Sequence, residues 1–145
     1  MREILFRGKR TDGQWIYGGL LKVTYDGNTY NLIFADNFLF VFGEAKAMEH
    51  ACVDPATVGQ FTGLTDKNGQ KIFEGDIVRV LGNQQVDDWK NVDYVALIAF
   101  LDGGFCAIDG TVEEHGLRRY ALARMDFSLE IIGNQFDNPE LLENP

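Results

Sequence analysis

The chain has 145 residues, 46% of them apolar and 24% charged, with a formal net charge of −9. That length and apolar content suit one hydrophobic core and exclude a chain disordered throughout. The acidity argues against broad phosphate binding, which needs arrayed cations, whereas here the basic clusters are small: Arg7, Lys9 and Arg10, then Arg118 and Arg119.

In chain order, residues 3–7 alternate apolar and charged, the period of a half-buried strand. Thr11-Asp12-Gly13 signals a turn. Trp15, Tyr17 and residues 20–25 predict a second strand, with a bulge or bend at Gly18-Gly19. Asp26-Gly27 is a hairpin turn, because both residues tolerate positive φ, and residues 30–34 return from it. The run 38–42, Phe-Leu-Phe-Val-Phe, reads as a strand buried on both faces or as an oligomer interface. Residues 44–51 are rich in helix formers and predict a short helix. Asp54-Pro55 predicts a single helical turn, with Asp as cap and Pro at the first position.

Residues 60–64 and 71–81 flank Asp66-Lys67-Asn68-Gly69 and predict a hairpin, broken in its second arm by a tight turn at Glu74-Gly75-Asp76. Residues 82–91 are polar and predict a loop. Residues 94–101 predict a buried strand that turns at Asp102-Gly103-Gly104 into 105–108. Residues 109–119 read as loop or a short helix. Residues 127–132 predict a last strand, and Asn138-Pro139-Glu140-Leu141-Leu142 a terminal helical turn. The two cysteines, Cys52 and Cys106, make no disulfide framework. The N-terminus lacks the apolar core of a signal peptide, and no apolar stretch is long enough to span a bilayer. A cytoplasmic location with free thiols is the expectation.

The longest motif, Val53–Val78, lies at the centre. It combines Phe61-Thr62-Gly63-Leu64, the turn Asp66-Lys67-Asn68-Gly69, and Phe73-Glu74-Gly75-Asp76-Ile77-Val78. This segment resembles the central signature of the YopX family. Ile4-Leu5-Phe6-Arg7-Gly8 resembles the family's opening strand, and Ile131-Ile132-Gly133-Asn134-Gln135-Phe136-Asp137-Asn138-Pro139-Glu140-Leu141-Leu142 its closing segment. Together the matches cover roughly half of the chain, in order; residues 20–52 and 82–93 match no family pattern. The resemblance implies a protein encoded by a phage or prophage. It further implies an all-β fold, a small β-barrel-like domain of short antiparallel strands with one or two helical turns, occupying residues 1–145 as a single domain. It implies association into homo-oligomers such as trimers, and it brings no established activity or cofactor.

The chemistry-bearing residues have competing explanations. Asp66, Asn68, Glu74 and Asp76 invite a cation site, but the spacing falls short of a calcium loop, and short polar side chains bonding nearby amides account for the same residues. His50, Cys52, Cys106 and His115 are possible zinc ligands without zinc-site spacing. A Cys–His nucleophilic pair lacks an orienting third group. Asp87-Asp88 and Glu113-Glu114, with Asp93 and Asp109, would have to converge to serve a metal-dependent nuclease. The aromatics Trp15, Tyr17, Tyr25, Tyr30, Phe38, Phe40, Phe42, Phe61 and Phe73 fit a core or interface better than a stacking platform for single-stranded nucleic acid, which needs accompanying Lys and Arg. No catalytic, cofactor-binding or metal-ligating residue is therefore assigned.

The leading expectation is a non-enzymatic binding or assembly module that meets copies of itself and an unknown host or phage protein, but neither nucleic acid nor membrane. An acidic inhibitor or decoy acting on a host DNA-binding enzyme is the second reading, and a metal-dependent nuclease the third. Phe38–Phe42 is the expected core-plus-interface element.

Overall fold

The structure, a computed structural model, describes residues 3–35, 50–82, 93–113, 116–121 and 128–143, without the side chains of 109–113 and 116–121. It is mostly antiparallel strand, and the all-β expectation holds. The chain divides into two compact units, Met1–Gly63 and Leu64–Pro145.

In the first unit, β1 (Phe6–Lys9), β2 (Trp15–Tyr25), β3 (Asn28–Phe34), β4 (Cys52–Val53) and β5 (Gly59–Thr65, which runs on into the second unit) lie in the order β4-β3-β2-β1-β5. β1 begins at Phe6, later than the alternation at residue 3 implied, and Ile4 is exposed. The predicted break at Gly18-Gly19 is a change of partner within one long strand. Residues 15–18 of β2 pair with β1, and residues 19–25 pair with β3. Gly18 is required there, since a Cβ would overlap the Phe34 carbonyl. Among the described residues of this unit, Leu32, Ile33, Ala51, Val53 and Phe61 are the buried apolar ones. The single turn read at Asp54-Pro55 is a 3₁₀ turn, Pro55–Thr57, whose cap Asp54 accepts from the Ala56 amide at 3.0 Å.

The second unit continues with β6 (Lys71–Phe73), β7 (Asp76–Leu81), β8 (Asp93–Leu101), β9 (Gly104–Glu113), β10 (Gly116–Ala121) and β11 (Ser128–Asn134). Five of them form a sheet ordered β10-β9-β8-β7-β11. Alternation places Val78 and Val80 of β7, Ala96 and Ile98 of β8, Ala107 of β9 and Leu129 of β11 on one face, where Ile72 completes the core. Residues 109–119, read as loop or short helix, are instead the paired strands β9 and β10. Their local sequence is polar and poorly periodic, so cross-strand pairing decided what propensity could not.

Each sheet has two edge strands, and among the described residues neither closes into the barrel that the resemblance implied. The run 38–42 and the polar stretch 83–91 lie outside the described residues. Of the helix expected over 44–51, only His50 and Ala51 are described, and both are helical.

Candidate functional site

The signature turn has a fully specified geometry. Asp66 follows β5 and is 6% exposed. Its Oδ1 accepts from the amides of Asn68 and Gln70, both at 2.9 Å, and its Oδ2 accepts from the Ile131 amide at 3.1 Å. Burial pushes this carboxyl up, but the amides of Ile131, Gln70 and Asn68 and the charge of Lys67 outweigh burial and hold it below the usual carboxylate range. Lys67 donates its amide to the Leu129 carbonyl at 2.8 Å and pairs through Nζ with Glu130 at 3.2 Å. The turn thereby occupies the outer edge of β11, which would otherwise present an open row of amides and carbonyls.

The other signature residues act in the same way. Asp76 is buried, and its Oδ2 accepts from the Phe73 amide at 2.8 Å, which closes the Glu74-Gly75 turn. Gly75 donates its amide to the Ile98 carbonyl and accepts from the Gln135 amide, both at 2.8 Å. The closing segment then folds on itself: Asn134 Oδ1 accepts from the amides of Phe136 and Asp137, and Asn138 Oδ1 accepts from the Asn134 amide. Central and closing motifs, more than fifty residues apart in sequence, meet at Gly75 and at Asp66. The chemistry is that of turn formation, with backbone amides as the partners of the carboxylates and side-chain carbonyls.

The remaining candidates fall as follows. His50 Nδ1 lies 3.3 Å from Arg10 Nη2. Cys52 sits in β4 of the first unit, opposite Leu32, and burial pushes its thiol up, which keeps it protonated and poorly nucleophilic at neutral pH. Cys106 is buried in β9 of the second unit, and His115 is not described. Among the described residues, no three His, Cys, Asp or Glu side chains gather as a metal would need. Asp93 is engaged by Arg79 through two hydrogen bonds of 2.9 and 2.8 Å on the exposed face of β7 and β8. Asp87, Asp88 and Glu114, and the side chains of Asp109 and Glu113, lie outside what is described. The N-terminal cations contact their own chain: the Arg7 guanidinium stands 4.9 Å over the Trp15 ring, Lys9 Nζ 6.0 Å from it, and Arg10 pairs with Asp12 at 3.1 Å.

Sequence reasoning assigned Tyr25 and Tyr30 to a core or interface without choosing. The structure separates them from the core. Beyond Lys22, where β4 no longer pairs with β3, β2 and β3 continue as a two-stranded arm closed by Asp26 (φ 50°) and Gly27 (φ 80°), a type I′ geometry. Leu21 is 50% exposed, Tyr25 71% and Tyr30 39%. Leu21, Val23 and Tyr25 share one face of β2, with Tyr30 opposite Val23; Lys22 and Thr24 point to the other face. The signal was present as Leu-Lys-Val-Thr-Tyr ahead of Asp-Gly, but alternation alone does not tell a half-buried strand from an exposed arm.

The model of the family described as YopX protein matches residues 5–143. Two solved structures are similar along nearly the whole chain. The crystal structure of protein yopX from Bacillus subtilis covers 98% of this chain and 99% of its own, with 18% identity and a TM-score of 0.52. That of protein EF1440 from Enterococcus faecalis covers 98% and 99%, with 22% identity and a TM-score of 0.44. The former likeness extends to the fold alone. No curated protein matches. Among the described residues no helix is long and apolar enough to cross a membrane.

Proposed function

The chain belongs to the YopX protein family, and from that premise we propose that it is a non-enzymatic binding or assembly module, encoded by a phage or prophage, whose binding element is the β2–β3 arm. One observation carries the reading: an apolar stripe of Leu21, Val23, Tyr25 and Tyr30 runs from the three-stranded part of the sheet onto an arm whose tip is exposed on both faces. A two-stranded ribbon in water gains little from its own contacts, so an apolar face on it favours a partner surface. The signature carboxylates support the same reading, because Asp66 and Asp76 accept from backbone amides. The phage or prophage setting and the expectation of homo-oligomers rest on the family resemblance.

The test compares the wild-type chain with the double variant Leu21→Ser, Tyr25→Ser. The expected result is a discrete set of bound species, copies of the chain included, that the variant loses while its melting temperature stays unchanged. Equal binding by both proteins would overturn the role of the arm. Magnesium- or manganese-dependent nuclease activity of the purified protein would overturn the non-enzymatic reading.

A further inference from the structure

Beyond its exposed stripe, the arm has an open backbone edge. The two-residue turn makes Tyr25 and Asn28 a hydrogen-bonded pair, so Tyr25, Val23, Leu21 and Gly19 direct their amides and carbonyls at β3. Leu20, Lys22 and Thr24 direct theirs the other way. β1 occupies that side only as far as Gly18, and among the described residues no strand pairs with the edge beyond it. The arm is also electrically balanced within an acidic chain: from residue 18 to 35 it carries Lys22 and Asp26 and no other charge, against a net −9 overall.

Resting on the reading of the arm as the binding element, we propose that this edge of β2 pairs antiparallel with the same edge of a second copy, on a twofold axis at Val23. In that register Lys22 and Thr24 of each chain form the two hydrogen-bonded pairs, and Leu21 faces the other copy's Tyr25. Lys22 then faces Thr24 of the second copy, two residues from its Asp26, an opposite-charge diagonal formed twice by symmetry. A shift of the axis to Lys22 would set two lysines directly opposite, which like-charge repulsion disfavours. The stripes of both copies merge into one face of a four-stranded sheet. A foreign strand would satisfy the same amides, but the self-pairing uses the charges and side chains already present on the arm.

Cross-linking tests the register. With Cys52→Ser and Cys106→Ala as background, Val23→Cys places two thiols in a non-hydrogen-bonded pair with Cα atoms about 4.5 Å apart, within disulfide reach. Leu21→Cys places its thiols about 14 Å apart along the strand, outside it. Mild oxidation should join most Val23→Cys chains as covalent dimers and leave Leu21→Cys chains unjoined. In light scattering, the otherwise wild-type chain should show twice its monomer mass. Lys22→Glu, which leaves the backbone untouched and brings a second acid near Asp26, should return it to monomer mass at the same concentration. A wild-type monomer at every concentration, or equal cross-linking at positions 21 and 23, overturns the proposal. If the chain is monomeric but the Leu21→Ser, Tyr25→Ser variant still loses a foreign partner, self-pairing fails while the arm remains the binding element.

Discussion

Replacing Asp66 by Ala removes one acceptor group from three amides at once. A hydrogen bond to a charged group contributes about 1.5–3 kcal/mol net, and a buried donor left without a partner costs about 1–3 kcal/mol. The three contributions do not add in full, because the Asn68 and Gln70 amides at the turn regain water while the Ile131 amide lies in β11. The expected loss for Asp66→Ala is thus about 3–5 kcal/mol, at the high end of single substitutions. Asp66→Asn keeps a neutral acceptor and should lose less. The effect also has a pH signature. The folded carboxyl is held low, so its contribution is complete above the unfolded value of about 3.9 and is lost as pH falls through that value toward the folded one. Urea unfolding of wild type and Asp66→Asn from about pH 7 to about pH 2.5 should give stabilities that converge at the acid end. Amide exchange in the Asp66→Ala variant should accelerate at Ile131 and Lys67 before it does in β8. A neutral-pH loss below about 1 kcal/mol, or parallel pH curves, would refute the reasoning, since that is the range of an ordinary exposed site.

Three further outcomes test the packing. Gly18→Ala forces a Cβ against the Phe34 carbonyl and should destabilise by about 1–3 kcal/mol, whereas Gly19→Ala, which meets open space, should be close to neutral; thermal melts of the pair decide it. Gly69→Ala also meets open space but must hold a φ of 82°, so chemical denaturation should show a loss of about 1–2 kcal/mol from backbone strain alone. Ile72→Ala removes a fully buried side chain from the core of the second unit and should cost about 2–5 kcal/mol, with increased exchange at Val78 and Ala96.

Much of the fold was legible because its signals are local. Asp26-Gly27 and Asp66 to Gly69 are turns that backbone sterics favour whatever surrounds them, and β-branched apolar runs bounded by turn residues, such as residues 77–80, report a strand. The strand pairing over 109–119 was not legible: a polar, aperiodic stretch becomes strand only when a neighbour supplies the hydrogen bonds. The candidate site divides in the same way. That Asp66 serves a turn follows from its spacing to Asn68 and Gly69.

By itself, then, the amino-acid order determined the β class and the position of the tight turns, consequences of short-range sterics and residue alternation, and through its motifs the family. The tertiary structure decided that Asp66 reaches across to Ile131, that Gly75 joins β8 to the closing segment, and that the stripe from Leu21 to Tyr25 stands outside the core. Those outcomes depend on which strands become neighbours. Neighbour choice is a competition among contacts distant in sequence, and no local window carries it.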